Sequence, residues 1–217
     1  MIFIKSDGLL PTLKYMFCGI RNKIYHRTNT VFLELLLSDA DVGKTAVADQ
    51  LYFRVFTESN TELKKIKFPK LFLLPVDRWL TQGSKLIIGY YKDQAVSYAW
   101  DHRNSYQIHG TGTVVLKAGE IWIGPVFVHK SARSMGINTK QIRYLLTLEK
   151  QNGIKRCLTC VSSKNFASLK SFTKNGFQVL GKHQKVSGIF RFLKPEPINH
   201  TFLDRVEIYH EDFSADS

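Results

Sequence analysis

At 217 residues, with 44% hydrophobic and 23% charged side chains, the chain suits one medium domain with a substantial core and is not a disordered polymer. No apolar run reaches the roughly 18 residues that cross a bilayer, and "MIFIKSDGLLPTLKYMF" lacks the basic–apolar–small pattern of a cleaved signal. The net charge of +13 is uneven, because Pro195 onward holds six acidic residues and one basic, leaving +18 on the first 194; such a field attracts nucleic acid, a lipid surface or a polyphosphorylated cofactor.

In chain order, residues 9–26 place Leu13, Phe17, Ile20 and Ile24 at helical spacing, with Lys14, Arg21 and Lys23 elsewhere. Such a helix packs its apolar face on its own domain or makes a peripheral membrane contact. "NTVFLELLLSD" and "DQLYFRVFTES" are strand-like, and "LKKIKFPKLFLLP", residues 63–75, is ambiguous. "KLIIGYYKDQAVSYAWDHR" is a hairpin turning at Lys92–Asp93. "GEIWIGPVFV" is a longer strand that should bulge or lose pairing at Pro125, which has no N–H to donate. Gly136 to Lys150 is a helix burying Ile137, Ile142, Leu145 and Leu146; "IKRCLTCVS" is a strand; Asn165 to Asn175 is a helix ended by Gly176. "FQVLGK" and "SGIFRFL" close as strands, and the acidic residues 195–217 read as a loosely held tail.

The order from residue 85 is strand–strand–strand–helix–strand–helix–strand–strand, an α/β sheet whose functional loop lies between the third strand and its helix. A helix that starts at a glycine turn offers unpaired N–H groups and the positive end of its dipole, a seat for a diphosphate. Arg133 adds a charge-assisted contact and Gly136 lets the backbone approach closely.

These pieces resemble the GNAT N-acetyltransferases. The family's V-x-P-x-x-R-G-x-G-I/L-G/A motif aligns without a gap on Val128, His129, Lys130, Ser131, Ala132, Arg133, Ser134, Met135, Gly136, Ile137 and Asn138. Its second motif is similar to Asn165, Ser168, Phe172, Gly176 and Phe177 in "NFASLKSFTKNGF". The resemblance covers about residues 85–193. It implies a GNAT-like mixed, mostly antiparallel sheet with a splayed strand pair, flanked by helices. It divides the chain into an N-terminal portion, 1–80, packed on or part of the same domain; an acyl-CoA-binding core, 81–194; and the acidic tail, 195–217.

The same resemblance implies acetyl-CoA as acyl donor, with the diphosphate on the N–H groups of Arg133, Ser134, Met135, Gly136, Ile137 and Asn138. Val126, Phe127 and Val128 then lie along the pantetheine, which pairs like an added strand, and Asn165 lies beside it at the splay. Three positions depart from the motif. Ser134 stands for the first glycine, Asn138 for a Gly or Ala, and Phe172 for the tyrosine that commonly protonates the leaving thiolate.

Direct attack of an amine on the thioester needs a base with a pKa near working pH and an oxyanion donor. Glu120 is the first candidate base, although Val126 lies about 20 Å further along the strand. Asp101 and His102, ending the preceding strand, are its rivals, while His129 faces phosphate or solvent. Cys157 and Cys160 are three apart on a strand and point to opposite faces, so no metal is expected there. Three cysteines in all suit a reducing cytoplasm rather than a disulfide scaffold.

The expected activity is acetyl transfer from acetyl-CoA to the primary amine of a small molecule. A loose similarity to members acting on surface-polysaccharide amino sugars suggests a nucleotide-linked amino sugar, whose diphosphate suits the positive charge. Trp100 and Trp122 flank the expected acceptor cleft as stacking surfaces or as core. A homodimer is also compatible with the fold. The competing reading is a catalytically silent acyl-CoA-binding or nucleic-acid-associated module, although the basic residues are scattered and no nucleic-acid motif is present.

Overall fold

A computed structural model of the chain describes residues 26–37, 50–66, 68, 70–108, 112–187 and 207–209. Seven strands form one sheet in the order β2-β3-β4-β7-β8-β1-β9. They are β1 (His26–Leu36), β2 (Leu51–Phe56), β3 (Lys85–Tyr91), β4 (Gln94–His102), β7 (Glu120–Val128), β8 (Arg156–Ser162) and β9 (Gln178–Ser187). Every pairing is antiparallel except β7 with β8. A second, three-stranded sheet joins β5 (Ser105–Ile108), β6 (Gly112–Val115) and β10 (Glu207–Tyr209).

Two-residue periodicity sorts the side chains onto two faces. Ile87, Ile121, Ile123 and Cys157 turn to one face and meet α3 (Ile137–Gln151) and α4 (Phe166–Thr173), with Ile137, Ile142, Leu145, Leu146 and Phe172 completing that cluster. Leu86, Ile88, Tyr98 and Trp100 turn to the other and meet α1 (Thr61–Lys65) and α2 (Val76–Thr81) through Leu63, Val76 and Leu80. The small sheet covers the remainder of that second face, where Ile108 and Val114 pack with Phe32, Trp122 and Leu158.

The β3–β4 hairpin turns where expected. Lys92 and Asp93 both hold positive φ, 51° and 60°, as a two-residue turn that matches strand twist requires. The Pro125 irregularity is also present. Ala99 pairs with Val126 and Asp101 with Ile123, so Trp100 alone faces Gly124 and Pro125, a bulge in β7.

Two expectations need correction. Between the expected second and third strands of the order from residue 85, Ser105–Ile108 and Gly112–Val115 add β5 and β6. The acidic tail is not wholly loose, since Glu207, Ile208 and Tyr209 pair with Val115, Val114 and Thr113; backbone pairing there outweighs the like charge of the tail. The ambiguous stretch 63–75 holds the end of α1 and a series of tight turns. The basic helix read over residues 9–26 and the strand continuing past Ser187 through residues 188–193 lie outside the described residues.

The N-terminal strand β1 is internal to the sheet. It registers along β8 from Thr30 with Ser162 to Leu36 with Arg156, and along β9 from His26 with Ser187 to Glu34 with Gln178. Arg156 locks this seam to β7: its guanidinium donates to Glu34 Oε2 and to Glu120 Oε1, both at 2.8 Å.

Candidate functional site

The parallel partners β7 and β8 stay together for three residue pairs only, Glu120–Arg156, Ile121–Cys157 and Trp122–Leu158. One further link holds, Thr159 Oγ1 donating to the Ile123 carbonyl at 2.7 Å. Beyond it the strands part. Val126, Phe127 and Val128 pair with β4 on one side, while no strand partners them on the side facing β8.

A cleft of about 790 Å³ opens from this splay to the start of α3 and the first turns of α4. Its wall includes Val126, Phe127, Val128, Arg133, Ser134, Gly136, Ile137, Asn138 and Asn165, so nine of the ten expected donor-binding residues converge. Met135 is not in the wall; its side chain is 41% exposed. Lys170 and Lys174 also line the cleft. Sequence reasoning missed this pair, although spacing of four on a helix following Asn165 puts them on one face.

The loop is built to present its backbone. His129 caps a single 3-10 turn, Lys130–Ala132, accepting from the Ser131 N–H through Nδ1 at 3.3 Å. The chain then reverses through Ser134 at φ 66° and Gly136 at φ 71°. Gly136 is the N-cap of α3 and carries no side-chain cap. Among the described residues, no backbone N–H from Ser134 to Thr139 has a hydrogen-bond partner. Asn138 Oδ1 is buried and likewise unpartnered. Arg133 Nε donates to the Val128 carbonyl at 3.3 Å, so its guanidinium is held across the loop's mouth.

The described wall carries three cations, Arg133, Lys170 and Lys174, and no Asp or Glu. With six free N–H groups at a helix start, it fits an extended polyanion. Asn165 caps α4, accepting from the Ser168 N–H at 3.2 Å.

The candidate bases sit elsewhere. Glu120 is at the closed end of the β7–β8 pair, its carboxylate taken by Arg156 and by the Lys117 N–H at 3.0 Å. Asp101 is fully buried under α3 against Glu149. Burial first, then the neighbouring Glu149 charge, pushes its pKa up to about 8. His102 lies on the opposite face, Nδ1 2.9 Å from Ser84 Oγ and Nε2 buried without a partner; burial lowers its pKa to about 4.

Phe172 is 2% exposed and meets Phe177 edge-on, ring centroids 5.0 Å apart, so it belongs to the core. Trp100 and Trp122 are buried too. Trp122 stacks on Tyr106 at 5.3 Å and Trp100 meets Trp79 edge-on at 5.0 Å, which leaves no ring face open to a sugar. Cys157 faces the α3 cluster and Cys160 the small sheet, on opposite sides as strand alternation dictates. Among the described residues no group of His, Cys, Asp and Glu is arranged to hold a metal ion.

The Acetyltransferase (GNAT) family model matches residues 51–177. The chain belongs to the GNAT family. Among solved structures it is similar to a GCN5-related N-acetyltransferase from Kribbella flavida, at 12% identity and a TM-score of 0.52, covering 90% of this chain and 67% of that one. It is also similar to a glucosamine N-acetyltransferase region within a fungal multi-domain β-N-acetylglucosaminidase, at 12% identity and a TM-score of 0.51, covering 83% of this chain and 23% of that one. A Drosophila protein aligns at 10% identity and a TM-score of 0.52, over 84% of this chain and 58% of that one. At such identities the likeness is one of GNAT fold. The chain spans 66%, 59% and 58% of three matching structures, from Staphylococcus epidermidis, Sphaerobacter thermophilus and Drosophila. No curated protein sequence matches it.

Proposed function

We propose that the chain transfers an acetyl group from acetyl-CoA to a primary amine by direct attack. The observation that carries this is the row of unpartnered N–H groups from Ser134 to Thr139 beside the open edge of β7. Those N–H groups and Arg133 would hold the diphosphate, and Lys170 and Lys174 further phosphate charge. The free edge of β7 takes the pantetheine amides as an added strand, which brings the thioester to the bulge at Gly124 and Pro125.

The amine nitrogen attacks the thioester carbonyl carbon, the C–S bond breaks, and the thiolate takes up the proton that the nitrogen sheds. Glu120 is occupied by Arg156, Asp101 is closed off beneath α3, and His102 is too weakly basic at neutral pH. Solvent therefore removes the amine's first proton, and the rate follows the fraction of acceptor that is neutral. With Phe172 in the core, water also serves the leaving thiolate.

Lys70 favours an acceptor that is itself anionic, such as a nucleotide-linked amino sugar, over a polyamine: its Nζ sits 4.8 Å over the ring of Phe127, a cleft residue, and the described wall holds no carboxylate. The test is release of free CoA thiol from acetyl-CoA with a panel of amines: phosphorylated amino sugars, neutral amino sugars and polyamines. Turnover fastest with the phosphorylated amines is expected. Tight CoA binding with no turnover on any amine would instead establish the silent acyl-CoA-binding module.

A further inference from the structure

The turns joining α1 to α2 leave two adjacent apolar side chains in water: Phe72 is 48% and Leu73 84% exposed. Their neighbours are packed, Leu71 fully buried and Leu74 against the cluster that seats both helices. Consecutive tight turns fix the segment, Leu71 N–H to the Phe68 carbonyl at 2.9 Å, Leu74 N–H to that of Leu71 at 3.0 Å, and Val76 N–H to that of Leu74 at 2.8 Å. Pro75 restricts the backbone further. The apex is thus pinned by its flanks and held outward. A single exposed leucine needs no explanation; an apolar pair on a fixed apex does.

Cations surround it. Lys64, Lys65, Lys70 and Arg78 are all exposed. Lys64, Phe72 and Arg78 line one hollow of about 340 Å³, which they share with Asp77. Of the other nearby acids, Glu62 is taken by Arg54 and Glu58 lines an adjoining hollow with Lys64 and Asp77, so the exposed cations still outnumber the free carboxylates, Asp77 and Glu58. The collar is therefore net positive, in a chain that carries +13 overall.

We infer that this apex is a wedge for an anionic membrane surface. Phe72 and Leu73 enter the boundary between headgroups and acyl chains, while Lys64, Lys65 and Arg78 take the lipid phosphates. Two side chains are too few for a stable interface between proteins, which needs roughly 800 Å² from each partner. A lipid surface asks only for shallow apolar insertion with a cationic rim. The same loop sets Lys70 over Phe127 in the cleft wall, so docking turns the cleft's lip toward the bilayer.

The test is co-sedimentation of the full chain with vesicles of phosphatidylglycerol and phosphatidylcholine, against phosphatidylcholine alone. Binding to the anionic vesicles only, weakened by salt, is expected. The double variant Phe72→Ser/Leu73→Asn should bind at least about tenfold more weakly. Val179→Asn, which replaces a 57% exposed valine on β9, should bind like the wild type. Absence of binding at low salt, or undiminished binding by the double variant, would overturn the inference. So would a fall in native mass on introducing the double variant, which would assign the pair to a second copy of the chain. The readout is vesicle binding, so it is independent of acetyl transfer.

Discussion

The carboxyl of Asp101 meets that of Glu149 in the interior between β4 and α3, with neither residue exposed to solvent. Two cations, Lys85 at 2.6 Å and Arg103, and the Asn152 amide at 3.2 Å converge on Glu149. Asp101 has no such donors, and its pKa of about 8 means that the folded chain carries a proton there at neutral pH. The proton on Asp101 removes the repulsion between two buried carboxylates where the last turn of α3 meets the sheet.

A pH dependence of stability follows. Unfolded Asp101 titrates near 3.8, so from there to about pH 8 the folded state binds the extra proton and stability falls as pH rises. His102 acts oppositely between about 4 and 6.5, because its folded pKa is lowered. Between pH 6.5 and 8 Asp101 acts without that opposition and removes about 2 kcal/mol. Urea denaturation at those two pH values should show this loss in the wild type and its absence in Asp101→Asn, whose amide mimics the protonated acid. Equal losses in the two proteins would refute the buried proton on Asp101.

Ser134 holds φ 66°, a conformation that costs an L-residue roughly 1 kcal/mol relative to glycine. Ser134→Gly should therefore raise unfolding stability by up to about 1 kcal/mol, less the extra freedom glycine gains when unfolded. CoA affinity should hardly change, since the backbone N–H is kept. Chemical denaturation and calorimetric CoA titration check both halves.

Removing the Arg133 side chain should weaken CoA binding by roughly 1.5–3 kcal/mol, the worth of a hydrogen bond to a charged group. Lys170→Ala and Lys174→Ala should each cost less, and their losses should shrink as salt is raised. Titration calorimetry at two ionic strengths distinguishes these grips. Unchanged affinity in Arg133→Ala would count against the loop as the diphosphate seat.

Glu120→Gln should leave the pH profile of turnover unchanged, because its carboxylate serves Arg156. Arg156→Met should destabilise the fold by somewhat less than the roughly 3–5 kcal/mol typical of breaking a fully buried pair, as its partners Glu34 and Glu120 retain 18% and 13% exposure. A shifted turnover profile in Glu120→Gln would return that residue to the chemistry.

The cleft and its loop were readable because their parts are local. A proline in a strand, a glycine before a helix and an arginine three residues ahead of it all act within one loop, and their spacing survives folding intact. The candidate bases were not readable in the same way. Whether Glu120 is free depends on Arg156, 36 residues on, and whether Asp101 is accessible depends on Glu149, 48 residues on; no period along β4 or β7 encodes either meeting. The small sheet escaped notice because four-residue strands around "HGTG" have too little alternation to register, and β10 lies some 90 residues from its partner β6. Trp100 and Trp122 were correctly put on flanking strands, but only the packing of Trp79 and Tyr106 decides that their faces are covered.

The placement of β1 has a consequence for biosynthesis. This strand precedes the other six of its sheet, yet both strands it pairs with are translated more than a hundred residues later. Its row of Val31, Leu33 and Leu35 must stay unpaired until β8 has emerged, and on the other side until β9 has. The sheet can close only after β9 has been made, and until then the nascent strand is exposed to chaperones and to wrong partners.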